Sequence, residues 1–359
     1  MFSQRLAWDS ARNPLSEMVA RKRALGERIL DLTESNPTHA GIVYPPVVFD
    51  DQRMMMYDPA SFGMLSAREM IAVECGVAVD RVILTAGTSE AYSWLFKLLC
   101  DPGDEVLVPR PSYPLFDYLA ALESVAVRPY HLRYSEGWFV DLHDIRITER
   151  TRAIVVVNPN NPTGSYLKPA ELDALVKLAR KHGLAIISDE VFSDYALDEG
   201  VVRSLVNVEG VVTFCLNGLS KLVGLPQMKL GWIITNDAAS RERLEFIADT
   251  YLSVGTPVQC GLGQLLALKS SVQGQIMARV RENLAVVKRA RHVEGGWYAV
   301  LQVPRTKNEE QWTLNLLERH NVLVQPGYFY DFEQEAFLIL SLLTPPEIFR
   351  EGVSRITTR

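Results

Sequence analysis

Cysteine is scarce and scattered. Cys75, Cys100, Cys215 and Cys260 form no C-x-x-C pair, so no disulfide framework is expected and a reducing cytoplasm is the default setting. Cys100 and Cys215 adjoin apolar segments and read as buried thiols. The six histidines stand singly, with no pair at metal-ligand spacing, and no metal is expected. A strong excess of charge of one sign is missing too. The net charge is -6 over 359 residues, and no basic stripe is interleaved with aromatics, so nucleic acid is not an expected partner. Met1-Phe2-Ser3-Gln4-Arg5 lacks the apolar core of a signal peptide. The uncharged stretch from Thr250 to Leu268 contains Pro257, three glycines and two glutamines, which makes it a poor membrane span. Low-complexity tracts, Pro/Gly/Ser-rich linkers and internal repeats are absent. No G-x-G-x-x-G follows a strand, which argues against a nicotinamide-dependent dehydrogenase.

What remains is the composition of an ordinary globular protein, 48% hydrophobic and 22% charged, long enough for two domains and a large core. Short apolar runs rich in β-branched residues alternate with helical patterns. Strands are predicted at Val82–Leu84, Glu105–Val108, Ala126–Pro129, Ala153–Val157, Ala185–Ser188, Val211–Leu216 and Leu230–Ile234. Several are continuous apolar runs, as in strands buried on both faces of a mostly parallel sheet. Helices are predicted at Ser89–Leu99, Leu115–Ala121 and Pro169–His182, the last with Pro169 near its start and Gly183 just past its end. A long helical stretch then runs to Arg291, interrupted near Gly255-Thr256-Pro257, before a turn and strand over Gly295–Leu301. The fold class is therefore α/β: a large domain with a mostly parallel seven-stranded sheet flanked by helices, and a smaller α+β domain. The expected divisions are an arm at 1-46, packing on the small domain or a partner subunit, a large domain at 47-240 and a small one at 241-359.

Five segments carry candidate chemistry. Lys221 lies in Gly218-Leu219-Ser220-Lys221, after an apolar run. A lysine amine held partly desolvated forms a Schiff base with an aldehyde or other carbonyl. It sits where open α/β sheets place ligands, although a lone loop lysine is usually just solvated. Thr85-Ala86-Gly87-Thr88-Ser89 follows a strand and opens a helix, which offers backbone N–H groups to a phosphate or else is a plain N-cap by Thr88 or Ser89. Pro109-Arg110-Pro111-Ser112-Tyr113-Pro114 presents Tyr113 from a stiff turn, either to stack on a planar ring or simply to pack. Asn158-Pro159-Asn160-Asn161-Pro162-Thr163-Gly164 reads as a tight turn or as an Asn donor to a phenolate-like oxygen. Asp189, ending a buried strand beside Glu190, needs a partner, and a protonated pyridine nitrogen would serve; the plain alternative is an N-cap.

In this order, with Tyr57 and Gly63 ahead of them, Pro102-Gly103-Asp104-Glu105-Val106 among them and Gly231-Trp232 after, the segments resemble the class I/II aminotransferases, fold-type I enzymes dependent on pyridoxal 5'-phosphate (PLP). The resemblance implies a homodimer with shared active sites. It further implies that Lys221 forms the internal aldimine and shuttles the proton, Asp189 holds the pyridinium, Asn161 donates to the phenolic oxygen and Tyr113 stacks on the ring. Gly87, Thr88 and Ser89, with Ser220 and Lys229, belong to the cofactor's binding set, and Tyr57 reaches the phosphate of the neighbouring subunit. The implied activity moves an amino group between an amino acid or related amine and a 2-oxo acid. The alternatives are a β-lyase, decarboxylase or oxidase on the same fold, and, less in keeping with so short an arm, a PLP-sensing regulatory module.

Three positions depart from the family pattern. Phe192 stands where a tyrosine usually donates to the phenolic oxygen, with Tyr195 nearby as a substitute. Lys229 replaces an arginine, and Gly218 a phosphate-binding serine. In Phe337-Leu338-Ile339-Leu340-Ser341, Ile339 falls where an arginine usually grips the substrate carboxylate.

Overall fold

The computed structural model describes residues 2–8 and 13–357. Positions 1 and 9–12 of the expected arm lie outside the described residues.

After a 3-10 turn at Gln4–Leu6 come helix α1 (Pro14–Ala24), capped by the Asn13 side chain, and strand β1 (Leu30–Asp31). Helix α2 (Leu65–Cys75) leads into β2 (Val82–Thr85), α3 (Thr88–Leu99), β3 (Glu105–Arg110) and α4 (Phe116–Leu122). The hairpin β4 (Ala126–Ser135) and β5 (Gly137–Val140) follows, then β6 (Thr151–Val157), α5 (Pro169–His182), β7 (Ala185–Asp189) and β8 (Thr213–Gly218). The short α6 (Leu219–Leu222) carries Lys221 and precedes β9 (Gly231–Thr235). Four helices come next, α7 (Ala238–Tyr251), α8 (Thr256–Cys260), α9 (Leu262–Ala267) and α10 (Lys269–Val286). The chain ends with β10 (Tyr298–Gln302), α11 (Glu309–His320), β11 (Val322–Leu323), β12 (Gln325–Pro326), β13 (Phe337–Ser341) and α12 (Pro346–Thr357).

The large sheet has the order β2-β9-β8-β7-β6-β3-β4-β5. All seven predicted strands are in it, and β5 adds an eighth as an antiparallel hairpin on the β4 edge. The neighbours from β8 to β4 are parallel, while β9 runs antiparallel to both β8 and β2. Period-2 alternation splits the core cleanly. Ile83, Val106, Val155, Ile187, Phe214 and Ile233 pack on one face with Trp94 and Leu95 of α3. Leu84, Leu107, Ile154, Ile186, Cys215 and Ile234 pack on the other. Both faces are covered, so the strands show no polar alternation.

The smaller sheet is antiparallel, ordered β10-β13-β12. The segment before residue 46 packs beside it: β1 pairs in parallel with β11, and the Lys22 ammonium donates to Asn321 Oδ1 at 2.7 Å. The helical stretch predicted to reach Arg291 ends at Val286, and Arg291 instead bonds through its N–H to Val300 O of β10 at 2.8 Å.

Candidate active site

Parallel strands end together, and their carboxyl ends frame a crevice. Here it is a cavity of about 380 Å³, bounded by the ends of β2, β6, β7 and β8, the start of α3, and Tyr298 and Ser35 from across the cleft. Gly87, Thr88, Ser89, Tyr113, Asn161, Asp189, Ser220, Lys221 and Lys229 all line it. Tyr57 does not. Its side chain is 77% exposed and borders a neighbouring hollow with Asp249, Leu252 and Ser253.

Lys221 faces the cavity from α6. Its Nζ lies 5.1 Å from the Trp297 ring centre and 5.5 Å from that of Phe192. Enclosure among these rings pulls its pKa down to about 8, with Asp189 opposing the shift. A fraction of the amine is therefore neutral near physiological pH, the form that attacks a carbonyl.

Asp189 closes β7 and is buried. Tyr92 of α3 donates its hydroxyl to Oδ2 at 3.1 Å, and the Val191 N–H donates to Oδ1 at 3.3 Å. Burial raises the carboxyl to about 6, more than these two donors and Lys221 pull it down. A cation in the cavity would find an under-compensated carboxylate. Glu190 turns to the opposite side, where Ser188, Ser204 and the Leu205 N–H satisfy it.

The start of α3 is uncapped by any side chain. Gly87 is the N-cap, at φ 140°, and neither Thr88 nor Ser89 serves that role, in contrast to the plain N-cap reading. Glu90 reaches back to accept the Ala86 N–H at 2.6 Å. The remaining first-turn N–H groups have the geometry that suits an anion. Gly218 leaves no room for the serine common at its position: a Cβ there would lie 2.9 Å from Leu230 O.

Asn161 is buried, and its Oδ1 has no partner. The adjacent Asn160 braces the turn by donating to Pro111 O at 3.0 Å and accepting from Ser112 Oγ at 2.7 Å. This ties the Asn161 turn to the one bearing Tyr113, whose hydroxyl burial pushes up to about 12.

Phe192 forms wall and no donor. Tyr195 does not replace the missing hydroxyl, because its own is committed to Lys221 O at 2.7 Å. Ile339 lies in the middle of β13, 1% exposed and paired with Val300 and Gln325. In register it shares a face with Tyr298, which lines the cavity, so that face brings no charge. Among the described residues lining the cavity, the cations are Lys221 and Lys229.

Three contributors escaped the sequence reading, whereas Glu90, in the first turn of α3, belongs to the segment opening that helix. Tyr92 is detectable only as the buried residue four after Thr88. Ser35 and Tyr298 come from segments with no motif.

Fold and cavity together define a class: α/β proteins that hold a lysine at the carboxyl ends of a mostly parallel sheet, between an anion-ready helix start and a buried aspartate. The chain belongs to the aminotransferase class I and II family, whose model matches residues 63–356. It is 31% identical over 285 residues to an alanine aminotransferase of Mycobacterium tuberculosis, covering 74% of this chain and 66% of that protein. It is 32% identical over 266 residues to the glutamate-pyruvate aminotransferase AlaA of Escherichia coli, covering 69% of this chain and 66% of the relative. The match thus spans just under two thirds of these relatives' length. The alanine aminotransferase structure of Pyrococcus furiosus superposes with a TM-score of 0.84 at 26% identity, over 99% of this chain and 98% of that one.

Proposed function

We propose that the protein is a PLP-dependent aminotransferase that moves an amino group between an amino acid or related amine and a 2-oxo acid. The observation that carries this is the pairing, across one cavity, of Lys221 at a pKa of about 8 with the buried, under-compensated Asp189. The family uses PLP, and the cavity suits it. The uncapped start of α3 fits a phosphate, with Lys229 adding charge, and Asn161 lines the same cavity, where its Nδ2 would donate to a ring oxygen.

In this reading the Gly87–Ser89 N–H groups and Ser220 would hold the phosphate, Tyr113 would pack against the ring, and Asp189, steadied by Tyr92 and Val191, would keep the ring nitrogen protonated. Bound there, the cofactor supplies an electron sink for negative charge at the substrate carbon bearing nitrogen. Lys221 Nζ removes the proton from that carbon and later returns one, as its lowered pKa allows. Trp297 and Phe192 enclose the amine and limit water around it.

The proposal includes a homodimer in which Tyr57 completes the neighbouring site. Supporting it, Met55, Met56 and Tyr57 are 91%, 65% and 77% exposed in succession, an apolar run suited to a subunit interface. A cytoplasmic setting is supported by Cys75, Cys100, Cys215 and Cys260 all being free thiols. No helix among the described residues is long and apolar enough to cross a membrane.

Ile339 favours a second reading, a β-lyase, decarboxylase or oxidase on the same cofactor, because a face without charge does not grip a carboxylate in the usual way.

Mixing purified protein with PLP should give a visible absorbance that borohydride fixes onto Lys221. Lys221→Ala should show no fixation and no oxo-acid-dependent amine transfer. Equal fixation in Lys221→Ala refutes the proposal. Release of ammonia, carbon dioxide or a thiol without amine transfer selects the second reading.

A further inference from the structure

Glu90 lines the active-site cavity from the first turn of α3, and the reaction proposed above assigns it nothing. Charge alone would argue against it there, because a carboxylate repels a phosphate. Its hydrogen bonds account for it. Oε2 accepts the Ala86 N–H at 2.6 Å, just ahead of the Gly87 turn, and Oε1 accepts the Ser253 hydroxyl at 3.0 Å.

In a capping box the third helical residue bonds back to the turn, while the N-cap side chain bonds forward to the helix. Only the backward half is built here. Gly87 is the N-cap and has no side chain to send forward, so no side chain consumes the first-turn N–H groups that suit an anion. A glycine turn is also conformationally permissive and needs a hold from outside. The Ala86 bond supplies it, and the Ser253 bond anchors it to a second segment. Ser253 lies between α7 and α8 in a loop that is itself tied down: the neighbouring Val254 O accepts from Gln259 Nε2 at 2.9 Å, and the buried Gln259 accepts the Met64 N–H at 2.6 Å.

We propose that Glu90 is a positioning residue for the anion end of this site: bonded to Ala86 and Ser253, it fixes the Gly87 turn in the form that receives a phosphate. The identity of the ligand as PLP rests on the reading given above, whereas the hold on the turn rests on these bonds. Ser253 also borders the hollow that contains Tyr57, so the loop that steadies the turn is the one beside the proposed subunit contact.

Equilibrium dialysis of the full chain against PLP, pyridoxal and inorganic phosphate tests this, with Glu90→Ala compared to Glu90→Gln. Both variants are neutral at position 90, so repulsion of the phosphate cancels between them. The glutamine keeps an oxygen for the Ala86 N–H and offers an amide donor to Ser253 Oγ, while the alanine keeps neither. Glu90→Ala should bind PLP about tenfold more weakly than Glu90→Gln, and inorganic phosphate should follow by a similar factor. Pyridoxal, which lacks the phosphate, should differ by less than about twofold. Ser253→Ala, which cuts one bond and keeps the charge, should weaken PLP severalfold against wild type, and it carries the comparison if a thermal midpoint shows Glu90→Ala to be unfolded. Equal binding of PLP and phosphate across these pairs overturns the proposal. So does an equal loss for pyridoxal, which would make Glu90 a brace of the whole cavity. If the wild type binds phosphate and not PLP, the cofactor reading fails and the phosphate comparison alone decides the role of Glu90. Binding of neither overturns both.

Discussion

Phe192 sits in the cavity wall beside Lys221, where a tyrosine would place a donor, and Tyr195 has spent its hydroxyl on Lys221 O at 2.7 Å. In the proposed reading, a cofactor ring oxygen in this site would rely on Asn161 for a side-chain donor. Restoring the hydroxyl with Phe192→Tyr should stabilise the ionised form of that oxygen. A hydrogen bond to a charged group contributes about 1.5–3 kcal/mol, and 1.36 kcal/mol is one pKa unit. The sign follows: favouring the deprotonated form lowers the pKa, so the pH-dependent change in cofactor absorbance should move down by about one to two units. An unchanged midpoint would rule out this role for position 192. At this scale much of the candidate cavity lining was legible, because Lys221, Asp189, Asn161 and the Gly87 turn follow strand ends, where local punctuation marks them. Tyr92 was not legible. It reaches Asp189 only because α3 packs across β8 and β9, next to the end of β7, and nothing in its own neighbours signals that. The exposure of Tyr57 is equally invisible in sequence, since it depends on what the assembled chain leaves uncovered.

The turn that receives the phosphate in this reading is held by the strand beside it. A Cβ on Gly231, at the start of β9, would lie 2.9 Å from Gly87 Cα and 3.1 Å from Asn217 O, and backbone cannot move aside cheaply. Gly231→Ala should therefore displace the Gly87 turn, weaken PLP retention by at least about tenfold, and lower thermal stability by an amount typical of overpacking, about 1–3 kcal/mol. Dialysis against buffer with absorbance readout measures the first effect, and retention equal to wild type would show that β9 does not set the turn. Elements with strong local signals were readable, as α5 shows: it begins at Pro169 and its C-cap is Gly183 at φ 65°, as the sequence indicates. Those held by distant partners were not. Helix α1 has no sustained apolar stripe, burying only Leu15 and Lys22, and its Asn13-Pro14 start is the sole local cue. Strand β5 is four residues long and exists as the return of a hairpin.

The active-site cavity lies between the large sheet and the smaller one, so its shape depends on how firmly the two are joined. Glu294, just before β10, is one junction. Its carboxylate is buried, accepts the Tyr166 N–H at 2.8 Å and binds Lys168 Nζ at 2.6 Å, while its carbonyl accepts the Leu197 N–H at 2.8 Å. Gly164 meets the same segment so closely that a Cβ would lie 2.5 Å from Gly295 O. No local pattern announces this junction, because its halves lie far apart in the chain and each reads as loop. Glu294→Gln keeps the shape and removes the charge, leaving the Lys168 ammonium with neutral acceptors alone: the Trp138 and Tyr166 carbonyls and the new amide oxygen. Breaking a fully buried pair costs 3–5 kcal/mol, but the Lys168 side chain is 38% exposed, and water recovers part of that. A loss of about 1–2 kcal/mol is expected, in the range of a hydrogen bond to a charged group. It should appear as a lower urea midpoint and faster loss of PLP on dilution, because loosening the junction opens the cavity without touching any group that lines it. A lower midpoint with unchanged PLP loss would mean that Glu294 stabilises the chain but does not control the cavity.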